Sequence, residues 1–198
     1  INLGPSGGSN RTLLVETGGT LTVTGGTFNV NGNLSVVGGA AFNQSGGDIN
    51  IDGNSGTAST STGQGIHLVS INSTSVNCSA GNITVIDPPH NSITSGTTNS
   101  FRIQVSAGSL TAFTGTHTVR FGNGTSTETG NANGFVINTR NTVGIIPLQN
   151  VVVNAGNGSG RWVSTSYTSG TGTHIKGNLT INTGSEFRHT SAAIFAVG

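Results

Sequence analysis

Between residues 11 and 54 the chain alternates apolar and small polar side chains. Leu21-Thr-Val23, Phe28-Asn-Val30, Leu34-Ser-Val36 and Ile49-Asn-Ile51 each place two apolar residues on one side and a hydroxyl or amide on the other. Period two is the signature of a half-buried β-strand. Glycines separate these segments, and they recur. Gly18, Gly25, Gly26 and Gly32 return at positions i+21 as Gly39, Gly46, Gly47 and Gly53. The apolar pairs keep the same offset: Leu13/Val15 becomes Leu34/Val36, Leu21/Val23 becomes Phe42/Gln44, and Phe28/Val30 becomes Ile49/Ile51.

A fixed period of this length points to supersecondary units stacked one on the next. Three strands of about five residues fill one period. The expected fold is therefore all-β: a parallel β-helix (β-solenoid) with three short strands per ~21-residue coil. An antiparallel sandwich of hairpins would also use Gly-Gly turns, but it gives no reason for single glycines to recur at one offset. Right-handed crossovers are the rule for parallel strands, so the right-handed form is expected.

The register breaks after Asn54, where Ser55 and Thr57 stand in place of aliphatic residues. Residues 53–65 contain no apolar side chain larger than Ala58 and read as a protruding loop. Alternation returns at Ile66/Leu68, Ile83/Val85, Phe101/Ile103/Val105, Val119/Phe121, Phe135/Ile137, Val143/Ile145 and Val151/Val153, at irregular spacing. Coils with loop insertions are expected here. Residues 154–172 form a second candidate loop region. The form G-N-L-[ST]-[VI]-x-x-G-x-x-F at 32–42 recurs at 177–187, so residues 1–198 read as a single solenoid domain. Neither end looks like a polar cap, which suggests an excerpt of a longer chain.

Composition narrows the functional classes. Only 7% of the 198 residues are charged, and the net charge is +1. Lys176 is the single lysine and the arginines are scattered, so no basic patch marks nucleic acid as a partner. No apolar run approaches the roughly 20 residues of a membrane span, and no membrane insertion is expected. Cys78 is the only cysteine; it alternates with Val76 and reads as a buried thiol.

Asp48, Asn50 and Asp52, followed by Gly53, match the opening of a calcium loop, but the twelfth position is Ser59 rather than Glu. Strand alternation explains the same residues, with Ile49 and Ile51 inward. Calcium is thus a weak candidate, and no other cofactor is expected. Arg161, Trp162 and Tyr167 could stack on a sugar ring or form a protein contact; Trp162 could equally cap the core. Of the six acids only Asp48 and Asp52 lie near each other in sequence, and the five histidines show no ligand spacing, so the chain is not expected to be an enzyme. Thr20, Thr22 and Thr24 would face outward, but at i+21 they become Ala41, Asn43 and Ser45, so no threonine ladder continues.

The joined patterns G-G-T-[LF]-x-V and G-N-L-[ST]-[VI] resemble the β-solenoid stalks of very large secreted surface adhesins of Bacteroidota. The resemblance covers 11–54 and 174–198 well and the middle loosely, and brings no catalytic residue with it. It implies an extracellular structural or adhesive segment at the bacterial cell surface, a stiff stalk or filament module presenting binding loops. The partners it implies are adjacent coils of the same longer chain, a homo-oligomer or filament, and a cell-surface glycan or protein. A carbohydrate-binding or polysaccharide-degrading β-helix is the alternative.

Overall fold

A computed structural model describes residues 1–3, 11–51, 67–87, 99–105, 112–124, 134–141, 147–156, 162–165, 173–189 and 195–198. Every regular element among them is a β-strand, and every strand pairing is parallel. The absence of helix among them follows from the residues present, since Gly, Thr, Asn and Val are poor helix formers.

Two sheets carry most of the structure. The first holds, in spatial order, β1 (Asn2–Leu3), β4 (Thr27–Val30), β6 (Ala41–Ile51), β8 (Ser75–Val85), β10 (Thr118–Phe121), β12 (Asn150–Val153) and β15 (Leu179–Ile181). The second holds β2 (Arg11–Val15), β5 (Gly32–Val36), β7 (His67–Ile71), β9 (Asn99–Val105), β11 (Phe135–Asn141), β13 (Trp162–Thr165) and β16 (Glu186–His189). The chain shuttles between the two sheets, and each sheet stacks its strands in chain order. This arrangement is compatible with a parallel β-solenoid.

A third row of parallel pairing completes the description. Strand β3 (Thr20–Val23) pairs with the first half of β6, and that half pairs with the first half of β8. Cys78 of β8 bridges Phe113, Leu148 bridges Ile175, and β14 (Thr173–Ile175) pairs with β17 (Phe195–Val197).

Register decides which positions stack on one another, and the middle of each series is buried. In the first sheet Leu3, Val30, Ile51, Val85, Phe121, Val153 and Ile181 are successive partners. In the second, Leu13, Leu34, Val69, Phe101, Ile137, Thr165 and His189 follow one another. The expected i+21 offset holds for Leu13 to Leu34 and Phe28 to Ile49. Later laps are longer: the partner of Ile51 is Val85, at i+34, and the next is Phe121, at i+36. These wider laps are filled by rings. Phe101 lies edge-on to Phe113 and Phe121, and Phe121 packs on Phe135, with ring centroids 5.7–6.5 Å apart. These phenylalanines come from all three rows, so the rows enclose one core.

Some expectations change. Gly46-Gly47 does not end a strand. Strand β6 runs through it with shifts in register between Gln44, Ser45 and Asp48. At this bend glycines from successive laps stack. Gly47 and Gly81 have φ of +71° and +89°, and a Cβ at Gly81 would stand 2.5 Å from the Gly47 carbonyl oxygen. The repeated form at 32–42 and 177–187 occupies different sheets, since Gly32–Val36 is β5 of the second and Leu179–Ile181 is β15 of the first. What the two copies share is the turn, with Gly39 at φ +80° and Gly184 at +79°. Trp162–Thr165, inside the stretch expected to be loop at 154–172, is a strand whose Val163, Ser164 and Thr165 are buried. The loop expected at 53–65 and the Val143/Ile145 pair lie outside the described residues. Phe28 points inward but is only half-buried, because it lies in the row's outermost laps.

Candidate functional site

The outward side of the first sheet carries polar residues in rows. One row is Thr27, Asp48, Asn82, Thr118 and Asn150; beside it runs Asn29, Asn50, Thr84 and Arg120. Parallel in-register stacking produces these rows, because each outward position meets its counterpart about 4.8 Å along the stack. Amides suit such rows, since each can donate to one neighbour and accept from the next.

Asp48, Asn50, Asn82, Thr84, Arg120 and Asn154 line a groove of about 440 Å³. Asn82 sits at its centre. Its Nδ2 donates to Asp48 Oδ1 at 2.6 Å, and its Oδ1 accepts from Arg120 Nε at 3.1 Å. One amide thus separates a carboxylate from a guanidinium two laps away. Asn50 Nδ2 donates to Asn29 Oδ1 at 2.8 Å, and Asn182 Nδ2 donates to Asn154 Oδ1 at 3.0 Å.

The calcium-loop residues fall partly in this groove. Asp48 and Asn50 lie on one outward face, as strand alternation requires, and their bonds go to Asn82 and Asn29. Asp52 lies outside the described residues. Among the described residues no three His, Cys, Asp or Glu side chains converge.

Trp162 lies on the other sheet. The Arg188 guanidinium stands 4.7 Å over its ring centroid, and the ring lies so close to Gly134 that a Cβ there would stand 2.2 Å from it. Arg188 is gripped by both oxygens of Glu186 at 2.7 Å, which holds the Glu186 carboxyl below its ordinary range. The indole is therefore partly buried, with the exposed Arg188 side chain over one face. Arg161 and Tyr167 lie outside the described residues.

A buried polar pair was not legible as a site. His117 and Gln44 are fully buried, with His117 Nε2 3.1 Å from Gln44 Oε1. The Gln44 amide nitrogen is fully used, since its Nε2 donates to the Gly47 and Asn82 carbonyls at 3.2 and 3.0 Å. Its carbonyl oxygen can only accept, so His117 Nε2 carries the proton. His117 Nδ1 has no partner among the described residues. Burial pushes the imidazole down to about 4. Cys78, in the same row as Gln44, is buried as its alternation implied, and burial pushes its thiol up to about 12.

No protein-family model, curated protein or solved structure matches this chain.

Proposed function

We propose that this chain is a structural or adhesive segment of a large bacterial surface protein, a stiff solenoid stalk outside the cell. In this reading the three rows of pairing are three faces of one right-handed coil, each lap adding one strand to each face. One observation carries the proposal. Strand partners stay in register from Leu3 to Ile181, and those from Val30 to Val153 are fully buried, although the offset between laps varies from i+21 at its shortest to i+36 at its longest. Rigid axial stacking with freely varied lap length suits a spacer that presents a surface, not a pocket built from convergent catalytic groups.

The exposed apolar residues support stacking partners. Among the described residues the large exposed ones are Ile1 and Leu14 beside the first laps, and Ile181 and Val197 beside the last. Near the first laps Leu21, Val23 and Phe28 line an opening of about 470 Å³. Further parallel strands, from adjacent coils or from another copy in a filament, would cover these edges.

The reading is tested by antibody labelling of intact source cells and by pulling single molecules from their two ends. Surface labelling with unfolding in lap-sized steps is expected. Labelling only after cell lysis would overturn the surface assignment, and a single cooperative rupture at low force would overturn the stalk.

A further inference from the structure

We propose that the groove on the first sheet binds an acidic oligosaccharide, with the Arg120 guanidinium taking a sugar carboxylate and Asp48 taking hydroxyls of a neighbouring residue. The inference stands apart from the stalk reading, because it depends only on the chemistry of this face.

The two charges of the groove do not neutralise each other. Asp48 and Arg120 are two strand spacings apart, about 10 Å along the stack. Asn82 lies between them and bonds both. The ion pair found among the described residues is elsewhere, between Arg188 and Glu186. Each groove charge therefore keeps part of its bonding capacity.

Among the described residues nothing bonds the Arg120 terminal nitrogens, the second Asp48 oxygen or the Thr84 hydroxyl. Asn82 holds Arg120 through Nε, which fixes the plane of the guanidinium and leaves its two terminal nitrogens as a fork. A planar fork fits a carboxylate through two parallel bonds. A carboxylate such as Asp48 accepts from hydroxyls and cannot donate. Half-buried Asn50, Thr84 and Asn154 add donors and acceptors along the same face.

The groove is open and runs across strands of successive laps, so it suits an extended chain. A polymer of rings, each bearing several hydroxyls, meets such a surface ring by ring. A compact anion would use the fork alone and leave Asp48, Asn50 and Asn154 without a role. A polypeptide would offer few hydroxyls to Asp48.

The test is titration calorimetry of the whole chain at low salt with the trimer of galacturonic acid. Its methyl ester serves as the uncharged counterpart, and a tri-aspartate peptide as an acid of another class. Saturable binding of the acid trimer is expected, weakened roughly tenfold or more by esterification and by Arg120→Gln. Arg120→Lys, which keeps charge but loses the fork, should fall between. Asp48→Asn should weaken the trimer and its ester alike, and Arg188→Gln on the other sheet should change neither. Circular dichroism establishes that each variant is folded. No saturable binding, binding unchanged by Arg120→Gln, or equal binding of the peptide would overturn the proposal.

Discussion

His117 Nε2 meets Gln44 Oε1 at 3.1 Å inside the stack, across 73 residues of sequence, with the Phe113 ring 5.1 Å from the imidazole. This contact has a pH consequence. Unfolded, the imidazole titrates near 6.5; folded, it titrates near 4. Between these values the unfolded chain binds the extra proton, so acid favours unfolding. The stability from a neutral His117 is complete above pH 6.5 and is lost as pH falls toward 4, by about 3 kcal/mol in all. Urea midpoints measured from about pH 7.5 to 4 should fall through that window, and His117→Phe should flatten the fall.

Cys78 should be silent in the native protein. It is fully buried, and its thiol is pushed up to about 12. A thiol-reactive disulfide reagent at about pH 8 should give no colour until denaturant is added, because the thiolate is the reactive form. Stoichiometric reaction of the native chain would show that the interior opens readily.

Two glycines separate conformational strain from steric overlap. Gly18 and Gly81 both have positive φ, +81° and +89°. A Cβ at Gly18 meets nothing within 4 Å, whereas at Gly81 it would stand 2.5 Å from the Gly47 oxygen. Gly18→Ala should cost about 1 kcal/mol and Gly81→Ala roughly 3 kcal/mol or more. Equal shifts in the unfolding midpoint would mean that the stacked bend yields.

Position along the stack should grade the core. Ile49 is fully buried between Phe28 and Ile83, while Phe28 is half-buried. Ile49→Ala should cost about 3–4 kcal/mol. Phe28→Ala should cost less, despite the larger side chain, because part of that ring already meets solvent. The check is chemical denaturation of both variants side by side.

How much of this was legible follows from the stacking. Parallel strands in register copy residue type from lap to lap, so Leu13–Leu34 and Phe28–Ile49 could be read from spacing alone. Gln44 occupies the inward slot of Val23, and the offset exposed that as well. Nothing local marked His117, which is polar and has no counterpart at a constant distance. The groove was hidden for the same reason. Asp48, Asn82 and Arg120 become neighbours only across separations of 34 and 38 residues. Those distances depend on insertion lengths, which no periodicity encodes. The repeated G-N-L form misled in a specific way: it reports a glycine turn, and the same turn serves corners between different sheets.

The unequal laps carry a material consequence. The short lap from Val30 to Ile51 and the long one from Val85 to Phe121 each advance the first sheet by one strand, the same increment of height. The number of residues in a lap therefore does not change the height that its strand adds. Reach is therefore counted in rungs and not in residues: the chain between two stacked strands can lengthen or shorten while each lap still adds one strand spacing.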